Sequence, residues 1–232
     1  KIGGTLSLGF GYDTLGLEQF LVTNNPANLI NGFFLNDLDP LTGYDRPEAV
    51  LNAEIAIGAG LSLGFITAGV EGGIAADIDF NLADLNDDGK VRFDEMAGNI
   101  VANSFNPLAI FDVSGQFDLF LRAYYEINLG LFSIGDSFEF ARIKLFAFDI
   151  PFERPAILAV QNGDVLTLNV GPNAAGRLQG DTRDIAERIM VKTKSDGSVV
   201  VWSSQFNVDE TVAGINPFVG VKTIIADGGA GN

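Results

Sequence analysis

AEIAIGAGLSLGFITAGVEGGIAADIDF, residues 53–80, decides the fold. In its first half the odd positions are apolar: Ala53, Ile55, Ile57, Ala59, Leu61, Leu63 and Phe65. In its second half the even positions take over, with Ala68, Val70, Ile74, Ala76, Ile78 and Phe80. Period-two alternation marks a strand, because successive side chains point to opposite faces. The change of parity predicts a hairpin turning near 65–68. The other side of the first strand carries Ala56, Gly58, Gly60 and Gly64. Glycine weakens a strand unless the sheet bends or something packs closely on it. Tight curling, or contact with another sheet or subunit, is expected there.

The same rhythm extends in both directions. Leu6, Leu8, Phe10 and Tyr12 share one parity. Val113, Phe117, Leu119, Leu121, Ala123, Tyr125, Ile127 and Leu129 share another, with Gln116, Asp118, Arg122, Glu126 and Asn128 between them. Straight, that strand would reach about 55 Å, so a bend at Gly115 or Gly130 is expected. Tyr125 reads as core and Tyr124 lies on the other face, where sugar stacking is only the lesser alternative. A further apolar run, 138–150, follows Gly135-Asp136. Residues 1–152 are therefore expected to form a long-stranded antiparallel β domain, curled or barrel-like. Residues 22–50, rich in Asn, Pro, Asp and Gly, read as an excursion from it. Phe93, Met96, Ile100 and Val101 are spaced for one face of a short helix over about 92–103.

Pro151 and Pro155 bracket a change of composition. Beyond them the strands are short and the turns explicit. Asn162-Gly163 and Asp196-Gly197 are hairpin-turn dipeptides, flanked by 165–170, 188–192 and 198–202. A smaller all-β unit is expected at 155–226, sandwich-like or the start of a solenoid. The fold class is mainly β.

One stretch carries metal chemistry: DLNDDGKVRFDE, residues 84–95. A twelve-residue calcium loop places oxygen ligands at positions 1, 3, 5, 7, 9 and 12, with Gly at 6. Here those positions hold Asp84, Asn86, Asp88, Lys90, Arg92 and Glu95, with Gly89 at the turn. Lys90 would give its backbone carbonyl, Arg92 its backbone or a water, and Glu95 a bidentate carboxylate. Val91 at position 8 is the apolar residue of such loops. A solvated Asp-Asp-Gly turn would need neither Asn86 nor Glu95 at its place. The stretch resembles an EF-hand-type loop, and Ca²⁺ is the cofactor it implies. Its incoming side alternates like a strand, as in the half EF-hands of bacterial extracellular proteins, and no second loop is visible. That favours a structural ion over a sensor.

The end of the chain, 224–232, contains Asp227-Gly-Gly-Ala-Gly-Asn232. Gly228, Gly229, Gly231 and Asn232 resemble the opening of a hemolysin-type (RTX) nonapeptide repeat, which takes up residues 227–232. The preceding segment is similar to the β module ahead of such repeats in very large bacterial surface or secreted proteins. The resemblance implies a calcium-rich extracellular or cell-surface setting and names no activity. The chain starts at Lys1 without Met, and is expected to be a piece of a longer polypeptide.

Composition narrows the chemistry. The 232 residues are 47% apolar and carry 30 acids against 14 bases, a formal charge of −16. Nucleic acid and anionic membrane surfaces are repelled and divalent cations attracted. With 19 Phe, the acidity sits on a folded chain rather than a disordered one. There is no Cys and no His. This removes disulfides, thiolate catalysis, the Ser-His-Asp triad and the usual zinc ligand sets. No run of 18 apolar residues suggests a membrane helix. Asp37 with Asp39, and Asp181 with Asp184, are acid pairs better read as turn residues and, with Arg183, a local ion pair. No catalytic residues are expected. The leading expectation is a non-enzymatic, calcium-stabilised structural module for adhesion, surface layer, matrix or filament, with calcium and copies of itself or other surface proteins as partners. A calcium-dependent carbohydrate-binding or carbohydrate-active module and an outer-membrane β-barrel are the alternatives, although such barrels prefer Tyr and Trp girdles.

Overall fold

A computed structural model describes residues 1–39 and 41–229. In chain order its strands are β1 Ile2–Leu6, β2 Gly9–Tyr12, β3 Phe33–Asn36, β4 Ala49–Leu63, β5 Ile66–Leu82, β6 Lys90–Arg92, β7 Phe111–Asn128, β8 Ser133–Ile150, β9 Ala159–Asn162, β10 Val165–Leu168, β11 Met190–Thr193, β12 Val199–Trp202 and β13 Thr223–Ile225. The helices are α1 Leu15–Thr23, α2 Phe93–Ala102 and α3 Glu210–Ala213. The mainly-β expectation holds, and the helix expected at about 92–103 is α2. Two compact units interleave along the chain: residues 1–7, 47–80 and 113–150, and residues 8–46, 81–112 and 151–232.

The first unit is one sheet in the order β1-β4-β5-β7-β8. β4 and β5 pair in unbroken register from Ala49↔Phe80 to Leu63↔Ile66, and Gly64 turns between them with φ +65°. The parity switch thus marks a real hairpin. β1 and β8 are the edges, so the sheet is open and not a closed barrel. Gly115 stays in the ladder opposite Phe148, and Gly130 lies in the β7–β8 turn. The irregularities fall instead at Phe117/Asp118 and Leu121/Arg122, where bulges let a strand bend.

Four of the glycines in this sheet, Gly60, Gly69, Gly73 and Gly115, lie under rings of the same sheet. A Cβ at Gly60 would sit 2.5 Å from the Tyr124 hydroxyl, and one at Gly69, opposite Gly60, 2.8 Å from the same ring. Phe120 covers Gly73 and Phe148 covers Gly115 in the same way. An aromatic laid across a neighbouring glycine recovers packing that the strand would otherwise lack. Tyr124 therefore spends its ring on Gly60 and Gly69 rather than presenting it outward.

The alternation is inverted relative to the usual core. The face carrying Asp118, Phe120 and Arg122 is the covered one: Phe120 is 2% exposed and Asp118 is buried. Arg122 bridges Glu54 (2.5 Å) and Glu71 and lies 4.8 Å from the Phe120 ring centre. Arg142 reaches Asp118 at 3.1 Å and Glu139 at 2.8 Å. The aliphatic face is exposed, including Tyr125, which sequence reasoning placed in the core. Periodicity reports which residues share a face and is silent on which face is covered.

The second unit contains the sheets β2-β3-β6, β9-β10-β13 and β11-β12. Both expected short hairpins form, β9–β10 with Asn162 paired to Val165 and the turn one residue later than expected, at Gly163-Asp164, and β11–β12 across Asp196-Gly197. β13 joins β10 in parallel. Leu158, Leu166, Leu168, Val199, Val201 and Phe206 form its core. The excursion at 22–50 holds a 3-10 helix at Pro26–Gly32 and β3, and α1 runs into its first residues. Gly16 is needed there: a Cβ on it would lie 2.5 Å from the Leu29 carbonyl oxygen. Among the described residues no helix is long and apolar enough to cross a membrane.

Candidate metal centre

Residues 84–95 lie between β5, which ends at Leu82, and α2. Their backbone is arranged around Asp84. Its Oδ1 accepts from the N–H groups of Asn86 (3.2 Å) and Asp87 (3.0 Å), and its Oδ2 accepts from Gly89 N–H (2.6 Å). Asn86 Oδ1 accepts from Asp88 N–H, and Asp88 Oδ1 from Lys90 N–H. Asp87 and Gly89 both adopt left-handed backbone, with φ +59° and +78°. At residue 89 a Cβ would also meet Leu38 Cδ1 at 2.8 Å, so glycine is doubly required.

Two anchors hold the loop. On one side Leu82, Ala83 and Leu85 are buried, and Ala83 N–H donates to Ile110 O. On the other, β6 pairs with β3, placing Val91 opposite Leu35 with 0% exposure. The apolar residue at position 8 is thus the plug that ties the loop into a sheet of its own chain.

The cationic side chains of positions 7 and 9 are drawn away from the acids. Lys90 Nζ and Arg92 Nη2 meet Asp13 Oδ2 at 2.9 and 2.6 Å. Arg92 also donates to Asn31 O at 3.0 Å, and both cations lie against the Phe34 ring. Burial opposes charge on Asp13, but the hydrogen bonds from Arg92 and Lys90 outweigh it and hold its carboxyl down to about 2. Asp13 was not singled out from sequence. A lone acid 71 positions before Asp84 carries no local signal, and only β2–β3–β6 pairing brings it to Lys90 and Arg92.

Glu95 stands at the start of α2. Its Oε2 accepts from Arg92 N–H at 2.8 Å, while Oε1 is buried and has no hydrogen-bond partner. Burial pushes its carboxyl up to about 8, with Asp94, Asp84 and Asp88 adding repulsion. Burial and Asp84 also raise Asp88. A buried charged oxygen lacking a partner is costly, and a hard cation is the partner that three oxygen-bearing side chains of this kind suit. Asp84, Asn86, Asp88, Glu95 and the Lys90 and Arg92 backbone carbonyls are the groups that could hold it. Among the described residues no three acidic side chains close on one point, so donor set and loop backbone are present without a closed shell.

The other acid pairs are locally engaged. Asp39 Oδ1 accepts from Leu41 and Thr42 N–H, and Asp39 pairs with Arg46 at 3.1 Å. Asp181 pairs with Arg183 at 2.5 Å. Gly231 and Asn232 of the Gly-rich tail lie outside the described residues.

The protein is thus a mainly-β chain bearing an acidic twelve-residue loop. Comparisons with protein-family models, with curated proteins and with solved structures find no match to this chain.

Proposed function

We propose that this chain is a non-enzymatic structural module stabilised by one calcium ion in the loop 84–95, working outside the cell or on its surface. The observation that carries the reading is the buried Glu95 Oε1, which has no partner and faces repulsion from Asp84 and Asp88. The strand-like incoming side and single loop support a clamp rather than a switch. The RTX-like tail and the −16 charge support a calcium-rich setting with other surface proteins or further copies as partners.

Calcium titration calorimetry tests it, in two buffers of different ionisation enthalpy. At neutral pH the Glu95 carboxyl is largely protonated without metal, so binding displaces protons. The raised pKa also fixes the sign of the contribution of Glu95 in the metal-free protein: that contribution is fullest below the ordinary carboxylate range and declines as pH rises towards 8. Calcium affinity should rise over the same interval. One site per chain with proton release is expected, and absence of binding heat in both buffers would sink the proposal.

A further inference from the structure

The exposed face of the five-stranded sheet is the largest feature that the loop leaves unexplained. Its register can be followed across the strands. Ile57 lies opposite Gly72, Leu121 lies against Gly72, and Leu121 and Leu119 lie opposite Ala141 and Ile143. Along the strands the same face carries Ile55, Leu61, Leu63, Val70, Phe138 and Phe146, all more than half exposed. Ile57 is 85% and Phe138 71% exposed. The charged side chains Glu54, Glu71, Asp118, Arg122 and Arg142 point to the opposite face, and Asp136, near the β7–β8 turn, is the exception. The exposed apolar area is on the order of 1,000 Å². The largest patch of a typical monomer is about 300–600 Å², and one partner in a stable dimer contributes about 800 Å².

We propose that this face packs against the same face of a second copy of the chain, making a two-fold sheet-on-sheet dimer. The area matches what one side of a stable dimer needs. A two-fold interface requires a surface that carries both projections and a hollow to receive them. A hollow of about 490 Å³ opens over Gly72, walled by Ile57, Ile74, Leu119, Leu121 and Ile143. The projecting rings of Phe138 and Phe146 stand on the same surface to fill the partner's hollow. Although the chain carries −16, this face presents almost no charge to an approaching copy, Asp136 excepted. The proposal is independent of the calcium loop, and the sheet residues involved are remote in sequence from 84–95.

Sedimentation of the full chain over a wide concentration range is the test. Wild type should run at twice the 24.7 kDa chain mass. Ile57→Asp should run as a monomer with unchanged circular dichroism, and Ser137→Asp, on the opposite face, as a dimer. If Ile57→Asp fails to fold, Ala68→Cys, opposite Leu61 on the same face, gives a second reading, because the chain has no other thiol. That thiol should be shielded from maleimide in concentrated protein and react on dilution. A wild-type monomer at every concentration, a dimer that survives Ile57→Asp, or a thiol equally reactive throughout would each overturn the proposal. So would a monomer that floats with neutral phosphatidylcholine vesicles, which would assign the face to lipid.

Discussion

In the long-stranded sheet Ile55, Ile57, Leu61 and Leu63 lie exposed while Asp118 and Phe120 are covered. In the unit built on β9–β13 Leu166, Leu168, Val199 and Val201 are covered. Both obey period-two alternation, so alternation does not separate them. What separates them is who covers what. The sheet covers its charged face with its own rings and ion pairs, Phe120 with Arg122 and Arg142, and Tyr124 over Gly60 and Gly69. The other unit encloses Leu166, Val199 and Val201 and buries the cation of Arg177 completely.

Arg177 offers the largest break in this comparison. It is 0% exposed and donates to the carbonyls of Asn169 (2.8 Å), Asp181 (2.7 Å) and Arg183 (2.5 Å) and to Glu187 (3.2 Å), over the Phe206 ring. Arg177→Met leaves the buried Glu187 carboxylate facing no cation. It should cost about 3–5 kcal/mol in urea denaturation. An unchanged midpoint would mean that this core does not depend on its cation.

A smaller effect is expected where the sheet covers glycine. Gly60→Val must displace the Tyr124 ring, at about 1–3 kcal/mol. The Gly60→Val, Tyr124→Ala double variant should recover part of that loss, since it removes the obstructing ring. Additive losses would show that the glycine serves the strand and not the ring. The smallest effect belongs to the exposed face. In protein dilute enough to be monomeric, Ile57→Ala should shift stability by less than about 0.5 kcal/mol. A core-sized loss would show that the face is covered within one chain.

The sequence made some of this legible and hid the rest for physical reasons. The hairpin at 63–66 and helix α2 follow from local period, which a single strand or helix displays by itself. Leu6, Leu8, Phe10 and Tyr12 share a parity, yet β1 pairs with β4 and β2 with β3. Parity records the face of a residue and not its partner strand. The interleaving of the two units is hidden for the same reason. Helix α1 was not anticipated, and its Gly16 is there for a close approach to Leu29 that only the fold reveals. The twelve ligand-loop positions were legible since their spacing is contiguous. Asp13, which draws Lys90 and Arg92 aside, was not, because tertiary pairing alone brings it near.

The central claim is that the loop 84–95 is a calcium clamp closed by Glu95. Thermal denaturation of wild type and Glu95→Gln, each with calcium and with chelator, tests it most directly. A clamp predicts a marked fall in wild-type melting temperature on chelation and a much smaller calcium response in Glu95→Gln. In chelator at neutral pH the variant should melt no lower than wild type, since it replaces a buried, largely protonated carboxyl whose Oε1 has no partner. Equal melting in all four samples would contradict the claim.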